Sequence, residues 1–153
     1  MERKTCFFIG HREAPDSFLP ELSTEIERHI TEYGVTDFVV GQYGRFDALV
    51  AKCVKAAKKR HPEMTLNLLL SYHPYDRPTP IPPGFNSTFY PPGMETVPRC
   101  AAIVRANRYM EVDHSDYLIA YAWHPASNAR DLVEYARRRE KQGHMKIAIL
   151  SKQ

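Results

Sequence analysis

Five short runs of this chain have the length and composition of β-strands: Thr5 to Ile9, Asp37 to Val40, Leu66 to Leu70, Tyr117 to Tyr121 and Lys146 to Leu150. All but the fourth are nearly continuous in apolar residues instead of alternating, the mark of strands covered on both faces in a parallel sheet. The intervals between them carry helical spacing. Leu22, Ile26 and Ile30 recur every fourth residue in a segment expected from about Leu19 to Tyr33, with Pro20 in its first turn and Gly34 placed for a left-handed cap. Phe46, Leu49, Val50, Cys53, Val54 and Ala57 repeat at i, i+3, i+4, i+7, i+8 and i+11, a second helix that ends before Pro62. A third is expected from about Thr96 to Asn107 or a little beyond, carrying Val97, Cys100, Ala101, Ile103 and Val104. A fourth opens near Ser127, turns Leu132, Val133 and Ala136 inward and closes at Gly143. Strands alternating with helices predict a three-layer α/β sandwich, because a parallel crossover returns through a helix and is right-handed. The expected sheet is five-stranded and mainly parallel, in the order 3-2-1-4-5.

The 153 residues suffice for one domain, 1–153, that buries about 70 % of the surface its unfolded chain exposes and so stands without disulfide or metal. The three cysteines, Cys6, Cys53 and Cys100, are far apart and set among apolar residues, so neither a disulfide framework nor a CxxC metal site is indicated and a reducing cytoplasm is the expected compartment. His73, His114 and His124 are scattered, and HExxH, GxGxxG, Walker and GxSxG patterns are missing, so no metal or cofactor is expected. The start, "MERKTC", has no signal-peptide apolar region and the longest apolar runs are strand-sized, which argues against a membrane span. The net charge of +3 is small. Much of the basicity sits in "KAAKKRH" and "ARRREK", near the expected C-terminal ends of helices, where cations complement the macrodipole. Nonspecific attraction to nucleic acid is the other reading of these runs.

One stretch fits neither period. Tyr72 to Pro98 holds eight of the 12 prolines, yet its aromatic residues Tyr72, Tyr75, Phe85, Phe89 and Tyr90 are too many for a plain linker. It is expected to form an inserted loop over 72–98, either an ordered flap or partner-binding loop or a surface loop of lower order.

In an open parallel sheet, ligands collect beyond the C-terminal ends of the strands where strand order reverses. Three segments are expected there. Gly10, His11 and Arg12 leave the first strand, bringing two cationic side chains to an anion or polar ligand. "GQYGRFD", from Gly41 through Gln42 and Gly44 to Asp47, leaves the second. "WHPASNAR" leaves the fourth and puts Ser127 and Asn128 at a helix N-terminus, whose unpaired N–H groups and dipole suit an anion. Each has a plainer alternative: Ser127 as a simple N-cap, His11 and Arg12 as locally paired structural groups, and Gly41 and Gly44 as turn formers. Glu134 stands four residues from both Arg130 and Arg138, so a surface ion pair accounts for it; alternatively it stabilises a ribosyl cation or activates water in glycosidic cleavage.

"TCFFIGHR", "FVVGQYGRFDALVAKCV" and "RANRYMEVDHSDYLIAYAWHPASNARDLVEYARRR" together resemble the small YpsA-like members of the SLOG superfamily, the group that also contains DprA and the Lonely Guy proteins. The resemblance covers most of the chain apart from the proline-rich stretch. It implies a Rossmann-like fold and binding of a nucleotide or nucleotide-derived ligand, with Arg12 and the last helix's N-terminus on phosphate and Asp47 on a ribose hydroxyl. A homodimer is the assembly such a likeness suggests. Lonely Guy enzymes cleave an N-glycosidic bond with an Arg and a PGGxGTxxE motif; here the similar segment reads "ASNARDLVE". Glu134 falls on the motif's Glu, Asp131 replaces its Thr, and Ser127, Asn128 and Arg130 replace its glycines. The second reading is therefore a nucleoside 5'-monophosphate phosphoribohydrolase with Glu134 and an arginine, Arg105 or Arg108, in the catalytic roles; Arg108 is the one chosen as orienter. DprA-like proteins handle single-stranded DNA, for which Tyr43, Tyr75 and Tyr90 would be stacking platforms. That reading ranks third, together with a protein-interaction module built on the proline-rich stretch.

Overall fold

The apolar runs become the strands of one sheet. The computed structural model of the chain describes residues 3–42, 44–110, 114–122 and 127–150, the side chain of Asn128 excepted. Its strands are β1 (Thr5–Gly10), β2 (Asp37–Val40), β3 (Thr65–Leu69), β4 (Ser87–Phe89), β5 (Tyr117–Tyr121) and β6 (Lys146–Ile149). Every neighbouring pair is parallel, in the order β4-β3-β2-β1-β5-β6. Phe7 of β1 stands opposite Val39 of β2 on one side and Leu118 of β5 on the other.

Side chains alternate across this sheet, and both faces are buried. Cys6 and Phe8 of β1 pack with Phe38, Val40 and helices α1 (Leu19–Thr31) and α2 (Arg45–Arg60), through Leu22, Ile26, Val50 and Val54. Phe7 and Ile9 point the other way, toward α3 (Ala102–Tyr109) and α4 (Asn128–Lys141), where Ala106, Leu132, Val133 and Ala136 meet Val39 and Leu118. A layer of helices on each face of a parallel sheet makes this a Rossmann-like α/β fold. No helix of the described residues is long and apolar enough to cross a membrane.

The expectation of five strands in the order 3-2-1-4-5 is corrected: there are six, and the extra one lies within the proline-rich stretch. Ser87–Phe89 is too short to show a period and is half-buried throughout, so nothing in its composition announces a strand. Tertiary contacts hold it on β3. The backbone N–H of Asn86 donates to the Leu66 carbonyl (2.7 Å), while its side-chain oxygen accepts from the Leu66 N–H (2.9 Å) and from Lys58 Nζ (2.5 Å). Ser87 Oγ donates to Asn67 Oδ1 at 2.6 Å. An edge position suits a strand followed, after Tyr90, by Pro91, since one side of it needs no N–H donors.

Helix ends follow local chemistry. Ser127 Oγ accepts from the Arg130 N–H (3.1 Å) at the start of α4, and Gly34 and Gly143, both at positive φ, follow α1 and α4. The third helix starts later than expected. Residues Met94–Thr96 and Arg99–Ala101 form two 3-10 turns around Pro98, which holds Val97 extended (ψ 130°) and delays α3 to Ala102. The two basic runs do end helices: Lys58, Lys59 and Arg60 lie in the last turn of α2, and Arg138, Arg139 and Lys141 in that of α4.

The N-terminal edge of the sheet is tied shut by its own polar groups. The Asp37 carboxylate accepts from Arg3, Thr36 and Thr65, and Asp116 Oδ2 accepts from the Thr5 N–H (2.9 Å). Burial alone raises the Asp37 carboxyl, but the hydrogen bonds from Arg3, Thr65 and Thr36 outweigh it and hold the group below its ordinary value of 3.8. The folded chain therefore releases this proton more readily than the unfolded one, and the stabilisation is present above 3.8 and lost as pH falls through the lower folded value. Asp37→Asn is expected to make the urea midpoint depend less steeply on pH across that acidic window; an unaltered slope would contradict the assignment.

Candidate functional site

Because all strands run in one direction, their C-terminal ends share one edge, and the order reverses between β1 and β5. The chain moves outward from β1 through β2, β3 and β4, then returns through α3 to place β5 on the other side of β1. A crevice opens at such a switch point because the connections leaving the two strands part to opposite faces. Here it forms a cavity of about 270 Å³.

The three segments singled out in the sequence meet around this cavity. Gly10, His11 and Arg12 come from the exit of β1, Gly41, Gly44 and Asp47 from the β2 to α2 turn, and Ser127 from the start of α4. Gln42 is exposed and is not among the described lining residues. Asn128 opens α4, but its side chain lies outside the described residues, as do Tyr43 and the first four residues of the "WHPASNAR" segment, Trp123, His124, Pro125 and Ala126.

Close packing explains two of the glycines. A Cβ on Gly10 would lie 2.3 Å from Cδ2 of the buried Phe46 ring, so the reason for glycine is the approach of α2 and not the turn alone. A Cβ on Gly44 would meet the Arg12 Cα at 2.7 Å, and beside that contact the Arg45 N–H donates to the Arg12 carbonyl at 2.7 Å. The exits of β1 and β2 are thus pressed together backbone to backbone.

His11 extends the β1 to β5 ladder through its N–H to the Tyr121 carbonyl (3.1 Å), and its ring meets Tyr121 edge-on at 5.5 Å. The Arg12 side chain is exposed and forms no ion pair among the described residues, whereas nearby Arg45 is neutralised by Asp16 at 2.5 Å. Ser127 is the observed cap of α4, and both it and Ala129 line the cavity, so the positive end of that helix faces the space.

Sequence reasoning placed Ile103 and Val104 in the apolar stripe of α3 and overlooked Asn107. All three line the cavity, with Leu132 and Phe46 adding apolar surface. The available signal was spacing: Asn107 stands four residues after Ile103 and so shares its face. Neither proposed catalytic group is among the described lining residues. Glu134, half-exposed on α4, pairs with Arg130 (2.9 Å) and Arg137 (3.5 Å), and the Arg108 guanidinium lies over the Tyr135 ring at 5.1 Å. Of the proposed stacking platforms, Tyr75 is 88 % exposed and Tyr90 half-buried, both away from this cavity. Among the described residues, no group of His, Cys, Asp and Glu is disposed to hold a metal ion.

The fold and this cavity define a Rossmann-like α/β protein with a concave site at the switch point, cationic at one rim and apolar along one wall. No protein-family model matches the chain, and no curated protein matches it.

Gly10→Ala is expected to destabilise the fold by about 1–3 kcal/mol in urea unfolding, the usual cost of overpacking. Combined with Phe46→Leu, the loss should be smaller than the sum of the two single losses, because the smaller side chain vacates the space the new methyl needs.

Proposed function

We propose that this protein binds a nucleotide or nucleotide-derived ligand in the cavity between β1, β2 and α4. The observation that carries the reading is the meeting of an exposed arginine, Arg12, with a helix N-terminus at one cavity whose other wall is apolar. Arg12 and the first turn of α4 hold the phosphate, by charge-assisted hydrogen bonds and the helix dipole. Ile103, Val104 and Leu132 offer apolar surface to the base, with Asn107 among the same lining, and Asp47 accepts from a ribose hydroxyl. The volume lies just below the ~300–1,000 Å³ usual for small-molecule sites, which suits a mononucleotide better than a dinucleotide. The SLOG superfamily is the proposed kinship, and its nucleotide-derived ligands agree with this chemistry. Hydrolysis of an N-glycosidic bond draws no support from the placement of Glu134, paired with Arg130 and Arg137 on α4, or of Arg108 of α3, laid over the Tyr135 ring.

Titration with a panel of nucleoside 5'-monophosphates, the matching nucleosides and inorganic phosphate tests this. A monophosphate should raise the melting temperature and bind saturably, the nucleoside more weakly, and Arg12→Gln should weaken the monophosphate roughly tenfold, the worth of one charge-assisted hydrogen bond. Glu134→Gln should leave binding unchanged, with no free base released. Absence of stabilisation by every monophosphate, or equal binding by Arg12→Gln, would overturn the proposal; free base lost in Glu134→Gln would replace it with the hydrolase.

A further inference from the structure

The polar side chains that line the switch-point cavity belong to His11, Arg12, Asp47, Asn107 and Ser127. Three of these residues are already engaged within the chain: Ser127 caps α4, and His11 and Asp47 each have an interaction of their own. Among the described residues, the side chains of Arg12 and Asn107 have no hydrogen-bond or ion-pair partner. The phosphate accounts for Arg12. The amide of Asn107 has no task in the fold.

Asn107 is a half-buried residue of α3. It stands four residues after Ile103 and three after Val104, so the three share one helix face, and all three line the cavity. The other polar residues of the helix, Arg105, Arg108 and Tyr109, are not among the described lining residues; Arg105 and Arg108 are exposed. Earlier in the same helix, Ala102 lines a second cavity, of about 260 Å³, whose walls mix Asp76 and Glu95 with Arg99. Asparagine is a poorer helix former than alanine or leucine, because its amide competes for backbone groups. Helix stability therefore does not explain it here, where an apolar residue would simply continue the stripe of Ile103 and Val104. What asparagine adds is two N–H donors and a carbonyl acceptor beside an apolar wall.

We propose that Asn107 selects the base of the bound nucleotide. The inference rests on the nucleotide reading of this cavity and adds to it the group that tells one base from another. A base has apolar faces and a polar edge. Its faces suit Ile103, Val104 and Leu132, while its edge, once out of water, weakens binding unless it finds partners. A guanidinium and a helix N-terminus only donate, and a carboxylate only accepts. The amide does both, and the common bases differ in the order of donors and acceptors along their edges. One amide therefore fits one base edge better than the others.

The test is calorimetric titration of the full chain with the 5'-monophosphates of adenosine, guanosine, cytidine and uridine, and with ribose 5-phosphate. In the parent, the strongest of the four nucleotides should bind roughly tenfold more tightly than the weakest, and more tightly than ribose 5-phosphate. Asn107→Ala should bring the four within about threefold of one another, the loss of one discriminating hydrogen bond. It should leave ribose 5-phosphate unchanged, because a ligand without a base does not meet the amide. Asn107→Asp, which replaces the donating end by an acceptor, should alter the order of the four. Alanine is the better helix former, so Asn107→Ala should melt no lower than the parent and the change in preference is not a folding defect. Equal binding of the four by the parent, an order that persists in both variants, or a matching loss of ribose 5-phosphate in Asn107→Ala would each overturn the role of Asn107 while nucleotide binding itself stands. If none of the four nucleotides binds, the nucleotide reading falls and this inference with it.

Discussion

Strand β1 lies between two parallel neighbours, β2 and β5, with every one of its interior side chains covered, and this placement governs the rest of the molecule. Parallel pairing forbids tight hairpins, so each return must cross a face of the sheet. Those crossings supply α1 and α2 on one face and α3 and α4 on the other. They also send every strand's C-terminal end to the same edge. At the opposite edge, Arg3 and Thr65 donate to Asp37 and the Thr5 N–H donates to Asp116. At the C-terminal edge the connections diverge to opposite faces, and the two cavities open between them.

The first cavity owes its shape to two close approaches. Gly10 lets the Phe46 ring lie against the end of β1, and Gly44 lets the backbone at Arg12 pass the start of α2. A methyl group at either point would collide with the Phe46 ring or with the Arg12 backbone. The cationic groups thus sit on a turn held by backbone contacts, which fixes their position without using their side chains. Arg45, at the first position of α2, is paired with Asp16, so Arg12 and not Arg45 is the guanidinium that lines the cavity.

The proline-rich stretch does more than cover a surface. Its Ser87–Phe89 segment extends the sheet, and residues on either side of that strand, Tyr72, His73 and Tyr90 among them, line a second cavity of about 260 Å³. Helix α3 is the partition. Successive residues, Ala102 and Ile103, face different spaces because one step along a helix turns the side chain by about 100°. A single short helix therefore contributes to the walls of both cavities.

Strands β1, β2, β3, β5 and β6 and the cores of α1, α2 and α4 were legible in the residues, because burial on both faces imposes apolar continuity on a strand and a 3.6-residue period on a helix; α3 buries Ala102 and Ala106, not the expected Val97, Cys100, Ala101, Ile103 and Val104, because the turn at Pro98 resets where its helical face begins. Gly10, His11, Arg12, Gly41, Gly44, Asp47 and Ser127 were legible as a set for a related reason: they lie in the connections that leave the strands, and parallel strands send those connections out at one edge. β4 was not, since three half-buried residues acquire their conformation from Leu66, Asn67 and Lys58 and not from their own composition. Nor was the engagement of Glu134 with Arg130 and Arg137 separable from a catalytic role, because i, i+4 spacing brings charges together without saying which way they face. The chain's own order of apolar and turn-forming residues determined the layers and the edge at which a ligand can bind. Which side chains enclose a space there, and the charge each space presents, was decided only when distant segments packed, because a cavity is defined by contacts between residues far apart in the chain and leaves no local period to read.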